Sequence, residues 1–320
     1  MQKKRDLNFS LTQINYVLAV QRFGHFGEAA HSLNITQPTL SMQIKKLEED
    51  LGIVIFDRSK KPVLLTDVGK KILNQMKIIQ SESRKVEAIL NESSEAAFSG
   101  ELRLGVIPTI APYVLPLLFP ILEKHFPNLK LSIREMQTHK IIESLNVDEI
   151  DVGLLATPLK EDRIFEIPLF YEPFWVLFHE GHNLAKAAKV SYKSLTQEGL
   201  WLLEEGHCLR NQVVDVCSMK AGTKSFTNFH FESGSIETLK RLVNKFEGYT
   251  LVPALAVDMK TSGSFYREFE RPIPAREVGL VYQRKDFKHH LIEALGESIL
   301  DAIPESIRKL RKKDLDVLAI

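Results

Sequence analysis

AAHSLNITQPTLSMQIKKLEEDLGIVIFDRSKKPVLLTDVG, residues 29–69, carries two overlaid patterns. Leu40, Ile44, Leu47 and Leu51 recur at helical spacing and predict one buried stripe along NITQPTLSMQIKKLEEDLG. Thr36 stands at the N-cap position of that helix. Pro38 falls in its first turn, where a missing N–H is no loss, and Gly52 stops it. IVIFDRSKKPVLLT then reads as two short strands around a basic turn. Opposite the stripe the helix shows Gln37, Thr39, Ser41, Met42 and Lys45. Small polar groups near a helix start suit base edges and phosphates in a major groove. Arg58, Lys60 and Lys61 in the turn suit the phosphate backbone or minor groove, where cations gain from counterion release. Any amphipathic helix has a polar face, so this pattern alone leaves DNA binding and a plain solvated surface both open.

Working outward, FSLTQINYVLAVQRF predicts a helix, with Ser10 and Gln13 spaced as a capping box, and GHFGEAAHSL a short second helix. Helix, short helix, turn, polar-faced helix and basic hairpin together make a winged helix-turn-helix. Residues 67–93 continue as a long helix with an apolar stripe at Val68, Ile72, Met76, Ile79, Val86 and Leu90. Such a stripe packs either on its own first domain or on a symmetric partner. SSEAAFSG reads as a linker. From residue 101 strands and helices alternate through ELRLGVI, PYVLPLLFPILEKHF, LKLSIREM, IIESLNVDEI and DVGLLA. PFWVLFH opens a second α/β stretch, and GLVYQ returns the chain to the first. Mixed sheets covered by helices, in two lobes with a crevice between them, are expected. The expected domains are residues 1–66, a linker helix and hinge over 67–99, and a regulatory domain over 100–320. Lobe I takes about 100–172 and 276–310, and lobe II about 173–275.

The bulk numbers exclude several classes. The 320 residues carry 42 Lys+Arg against 41 Asp+Glu, a net charge of +1, so any nucleic-acid contact comes from a local surface. The start of the chain shows no signal-peptide pattern, and no run of about 18 apolar residues spans a membrane. A cytoplasmic protein is expected. Two cysteines are too few for a disulfide framework. The other histidines, such as His125, His179, His182 and the His289–His290 pair, stand at no ligand spacing with them, so neither metal nor cofactor is expected, although one His with two Cys can contribute to a zinc site.

Both cysteines lie in HCLRNQVVDVC, residues 207–217. A helix there rises roughly 13–14 Å over nine residues and puts the two sulfurs on opposite faces. A disulfide needs Cα atoms about 4.4–6.8 Å apart. Either the segment is not helical, or bonding unwinds it. His207, Arg210 and a helix start at Gly206 would favour a Cys208 thiolate. Two buried cysteines serving as small hydrophobes remain the plain alternative.

The residues 29–69, with the AA pair, TQPTLS, the IKKLE run, LG, F-x-R and LT-x-x-G at fixed spacing, resemble the N-terminal domain of LysR-type transcriptional regulators. The resemblance implies DNA binding through Thr36, Gln37, Pro38, Thr39, Ser41, Met42, Lys45 and Arg58. It also implies a periplasmic-binding-protein-like two-lobe effector domain. GVIPTIAPYVLP, EMQTHK, GHCLRNQVVDVC and SIETLKRLVNKFEGYTLVPALAV resemble the peroxide-sensing members of that family. That implies a sensor thiol at Cys208 and a resolving thiol at Cys217. The implied peroxide pocket holds Thr109, Thr138, His207, Arg210, Asn211 and Gln212. Asn211 stands where those members have Asp, which removes a charge. The implied partners are promoter DNA, hydrogen peroxide, RNA polymerase and a reductant such as glutaredoxin or thioredoxin. A homodimer through the linker helix and a homotetramer are implied with them. A regulator taking a small anionic effector at Thr109 in the crevice is the alternative within the family. A two-cysteine thiol peroxidase is the alternative outside it.

Overall fold

The computed structural model describes residues 9–91, 100–179, 181–195, 199–217, 234–258, 265–283 and 288–320. The chain divides into two units, residues 1–94 with 147–149, and residues 95–146 with 150–320.

The first unit begins with α1 (Leu11–Phe23), whose N-terminus is closed by the Ser10–Gln13 capping box. Next come α2 (Phe26–Ser32) and α3 (Gln37–Leu51). Thr36 caps α3 and Gly52 ends it in the left-handed conformation, as the sequence predicts. Leu40, Ile44 and Leu47 are fully buried, while Leu51 is only half-buried at the edge of the stripe. The wing is the antiparallel pair β1 (Phe56–Asp57) and β2 (Leu64–Leu65). It leads into α4 (Asp67–Asn91). Gly69 is needed in the first turn of α4, because a Cβ there would meet the Ile55 carbonyl oxygen at 2.3 Å. The α4 stripe divides. Met76 is buried and Ile72 and Ile79 pack on the domain's own core, whereas Val68 and Val86 are exposed. The Leu90 side chain, most of the SSEAAFSG linker and the start of HFESGS lie outside the described residues.

In the second unit, β3 (Gly100–Val106) pairs in parallel with β4 (Leu129–Glu135) and β5 (Val152–Thr157). Helices α5 (Ala111–His125) and α6 (Thr138–Asn146) connect them. β6 (Ile164–Phe178) and β9 (Ile273–Gln283) are long antiparallel strands that run through both lobes. At one end β9 pairs with β5, which completes the order β4-β3-β5-β9-β6. At the other end β6 pairs with β7 (Tyr249–Pro253) and β8 (Phe265–Glu268), and β10 (Leu315–Val317) joins β9. The second lobe also holds α7 (Cys208–Val216) and α8 (Ile236–Lys245). α9 (His289–Ala302) packs against the first lobe with α5. Two apolar cores result. The first includes Leu104, Leu154 and Leu155 from the parallel strands. The second surrounds Phe174, Phe178, Tyr249 and Leu251. Among the described residues no helix is long and apolar enough to cross a membrane.

Candidate functional site

On α3, Thr36, Gln37, Pro38, Met42 and Lys45 are exposed, and Thr39 and Ser41 are half-buried. Met42 is 61% exposed, so its apolar surface is open to a partner. Arg58 is already engaged. It donates to Ser41 Oγ and to Glu48 Oε2, each at 3.0 Å, and lies 4.9 Å over the Phe26 ring. Glu48 in turn accepts the Ile55 and Phe56 backbone N–H groups. Arg58 therefore braces the wing against α3 and fixes Ser41. Lys60 and Lys61 are exposed at the wing tip.

Where β6 and β9 cross from lobe to lobe, Glu172 and Arg276 are direct register partners. Both side chains are 0% exposed. Arg276 Nε and Nη2 donate to Glu172 Oε2 at 2.9 and 2.7 Å. Its Nη1 reaches Thr109 Oγ1 at 2.8 Å and its Nη2 the Thr109 carbonyl at 3.0 Å. Glu172 also accepts the Leu255 N–H. A buried charge survives only when paired and hydrogen-bonded, and this pair meets both conditions. Neither residue was expected from the sequence. The available signal was one acid in the apolar run LFYEPFWVLF and one base in PAREVGLVY.

The Cys208–Cys217 segment is helical. Cys208 opens α7 and Cys217 caps its end. Cys208, 7% exposed, belongs to the first lobe's core, and Cys217 belongs to the second's. Both thiols are free. Nine residues of helix put roughly 13.5 Å of rise between them, beyond the reach of a disulfide.

Burial pushes the Cys208 pKa up. Arg276, the Thr138 hydroxyl and the Leu209 and Cys208 backbone N–H groups pull the other way without overcoming it. This departs from the expectation of a thiolate favoured by His207 and Arg210. Arg210 instead turns back and donates to the Leu203 carbonyl at 2.7 Å. Sequence neighbours of a helical cysteine project away from it, and the cation that acts on the sulfur comes from a distant strand. Burial likewise pushes the Cys217 thiol up to about 11, against a hydrogen bond from Tyr249, whose hydroxyl lies 4.0 Å from the sulfur. Asn211 is on the exposed face of α7. Gln212 is 0% exposed, and neither of its amide atoms has a hydrogen-bond partner among the described residues.

A cavity of about 330 Å³ opens between the lobes, and Cys208 is not among the residues that line it. Pro108, Gln137 and His207 line it, each the chain neighbour of Thr109, Thr138 and Cys208. His207 Nε2 lies 3.4 Å from Gln137 Nε2 and 3.5 Å from Glu204 Oε1. Across the gap Tyr113 of α5 donates to Glu237 of α8 at 2.6 Å, and Lys240 binds the same carboxylate at 2.8 Å. Among the described residues no cluster of three or more His, Cys, Asp or Glu side chains is placed to hold a metal.

Residues 11–70 match the bacterial regulatory helix-turn-helix family of lysR type, and residues 95–304 match the LysR substrate binding domain. The chain is 36% identical to the DNA-binding transcriptional dual regulator OxyR of Escherichia coli over 292 residues, covering 91% of this chain and 94% of that one. A hydrogen peroxide-inducible genes activator of Haemophilus influenzae is 33% identical over 304 residues, with 94% and 100% covered. Among solved structures, a full-length OxyR variant from Pseudomonas aeruginosa superimposes with a TM-score of 0.76 at 34% identity, covering 91% of this chain and 98% of that one. A peroxide-bound OxyR variant from Corynebacterium glutamicum gives 0.60 at 30% identity, with 93% and 94% covered. Both domains and nearly the whole length agree with regulators rather than enzymes, and the chain belongs to the LysR family of DNA-binding transcriptional regulators, in the form that OxyR takes.

Proposed function

We propose that the protein senses hydrogen peroxide through Cys208 and reports it by refolding α7. The observation that carries this is the placement of the only two cysteines at opposite ends of one short helix, each sulfur in a different core. The Cys208 sulfur attacks one peroxide oxygen. The S–O bond forms as the O–O bond breaks, and the departing hydroxide takes up the thiol proton and leaves as water. The Cys217 sulfur then attacks the sulfenic sulfur, and a second water leaves. Two electrons have passed from two thiols to one peroxide. The bond requires α7 to unwind, which makes oxidation select a different fold of the segment.

In this reading Thr138 and Thr109 orient the oxidant, with Arg276 holding Thr109 and supplying positive charge at the sulfur. His207 stands in the cavity wall, and Arg210 anchors the strand before the helix. Asn211 faces solvent, and we give it no contact with peroxide. The recognition surface is the α3 face of Thr36, Gln37, Pro38, Thr39, Ser41, Met42 and Lys45, with Arg58 acting through Ser41. Exposed Val68 and Val86 on α4 support pairing with a second copy. A homotetramer, an RNA polymerase contact and a glutaredoxin or thioredoxin reductant belong to the same proposal. A small anionic effector gains no support from a cavity lined by Glu135, Glu204 and Glu237.

The test is a thiol titration of reduced protein before and after one equivalent of hydrogen peroxide, with Cys217→Ser alongside. Loss of both thiols in the parent, and a sulfenic acid trapped at Cys208 in the variant, are expected. Survival of both thiols through many minutes of stoichiometric peroxide would overturn the reading.

A further inference from the structure

Two insertions run in opposite directions between the lobes. From the second lobe, α7 lays Leu209, Val213, Val216 and Cys217 on its own core and reaches with Cys208 into the first. From the first lobe, α5 reaches back with Tyr113, which packs against the second core. Its hydroxyl donates at 2.6 Å to Glu237 Oε1, in the first turn of α8. Lys240 donates to the same oxygen at 2.8 Å and lies 5.7 Å over the Tyr113 ring. Burial and the bond to Glu237 push the Tyr113 pKa up, so the hydroxyl keeps its proton. Burial alone would raise Glu237, but Lys240 and Tyr113 hold it below the ordinary carboxylate value. The bond thus joins a neutral donor to a charged acceptor, the stronger class of hydrogen bond. Glu237 is also linked to the start of α7. Gly234 and Ser235 lead into α8, and a Cβ on Gly234 would meet His207 Nε2 at 3.0 Å. His207 is the N-cap residue of α7, directly before Cys208, and lies 3.4 Å from Gln137 of the first lobe.

We infer that Tyr113 and Glu237 are positioning residues for Cys208: their hydrogen bond is a clasp across the lobes that keeps this sulfur seated in the first core. Among the described residues, Cys208 is the one α7 side chain in that core, and the other buried apolar side chains of the helix lie in the second. When the lobes ease apart, Cys208 is therefore the side chain that loses its surroundings, while Cys217 keeps its own. The β6–β9 crossing joins the lobes through the backbone. The clasp joins them through side chains, at the starts of α5 and α8. The inference rests on the peroxide-sensing reading only in making Cys208 the sensor, where the clasp becomes the brake on exposing that sulfur and on unwinding α7 from its first turn.

The test reads the two cysteines against each other in full-length reduced protein. Arg210 lies between them, so trypsin puts each on its own peptide. Iodoacetamide is applied under native conditions, and both alkylations are followed by peptide mass. Tyr113→Phe keeps the ring and removes only the hydroxyl. Its Cys208 rate should rise roughly tenfold, the lower end of what losing a hydrogen bond to a charged group does, while the Cys217 rate stays near the parent's. A general loosening of the fold would raise both rates together. Glu237→Ala should repeat the shift in ratio. Glu237→Gln, which keeps an acceptor for the hydroxyl, should restore most of the parent's ratio. Tyr192→Phe is the reference: it deletes a hydroxyl bonded at 3.1 Å to the Asp316 carboxylate, a bond with no part in α5 or α8, and should leave the ratio in place. An unchanged ratio in Tyr113→Phe and Glu237→Ala, an equal shift in Tyr192→Phe, or no rescue by Glu237→Gln would overturn the clasp. Parent and Tyr113→Phe are then given hydrogen peroxide. A shifted ratio with thiols that survive peroxide in both proteins would sink the sensor reading and leave the clasp standing. Oxidation of both thiols with an unshifted ratio would do the reverse.

Discussion

Replacing Gln212 by Leu should make the reduced protein more stable and the disulfide harder to form. The Gln212 side chain is fully buried in α7, and neither amide atom has a hydrogen-bond partner among the described residues. Leaving such a group unsatisfied costs about 1–3 kcal/mol by mutational measures. Leucine has nearly the same reach and no polar atoms, so the substitution removes that penalty from the helical form alone. If unwinding lets the amide meet water, the gain of about 2 kcal/mol falls entirely on the reduced state. For a two-electron couple about 30 mV corresponds to about 1.4 kcal/mol, so the midpoint potential should rise by about 40 mV. The assay is equilibration of parent and variant across a series of dithiol redox buffers, with the disulfide read by mass. The reduced variant should also melt about 4–8 °C higher, for a gain of that size in a domain of this length. A midpoint that stays put or moves down refutes the reasoning. Slower peroxide oxidation at an unchanged midpoint would show that the amide serves the oxidant and not the refolding.

Other perturbations read other parts of the structure. Glu172→Gln leaves the Arg276 charge less neutralised beside Cys208. Iodoacetamide should therefore modify Cys208 faster at about pH 7, while chemical denaturation shows a loss of about 3 kcal/mol typical of a broken buried pair. Asp151 is buried, which alone would raise its pKa, but Arg103 and Lys288 hold it below the ordinary aspartate value. Its folded pKa is depressed, so its contribution is complete above the unfolded pKa of 3.8 and is lost as pH falls through the folded value. Asp151→Asn should thus be destabilised by on the order of 2 kcal/mol at about pH 7, and the two urea curves should converge on acidification below about pH 4. Among the described residues Lys45 on α3 makes an exposed 3.8 Å pair with Glu49. Lys45→Ala should leave the melting temperature in place, weaken DNA binding across sequences and reduce the salt slope by about 1. Binding indifferent to that change would remove Lys45 from the DNA surface.

The helix-turn-helix was legible because every signal for it is local. Caps, an i, i+4, i+7 stripe and a stop glycine all fall between Thr36 and Gly52, and sequence separation translates directly into position on a helix. Ser10–Gln13 and Thr36 behave the same way. The crossing strands were harder to read. Pro168 and Pro173 interrupt the β6 pattern, and the structure absorbs the first with a register shift between Pro168 and Phe170. The strand therefore begins at Ile164, well before the apolar run that marks it in sequence. The Glu172–Arg276 pair was hidden for the same reason: it joins residues 104 apart, and only the β6–β9 register brings them together. At the cysteines, adjacency misled. Arg210 is a close chain neighbour of Cys208 yet bonds Leu203, whereas Arg276 acts on the sulfur.

The proposed switch asks a short helix to form and unwind, and its surroundings bear on that. A nine-residue helix is marginal in water by itself, so α7 must be held by what it packs against. Its anchors include its two ends, where Cys208 joins the first core and Cys217 the second. On the proposed chemistry these anchors are also the reacting atoms, so forming the disulfide withdraws at least one sulfur from its core as it closes the bond. On the same proposal the Gln212 amide in the middle, without a hydrogen-bond partner among the described residues, lowers the resistance to unwinding. The β6–β9 crossing carries no cysteine and keeps its own buried ion pair. On that proposal the oxidised segment rearranges while the crossing strands stay paired, and reduction of a single bond lets the helix form again.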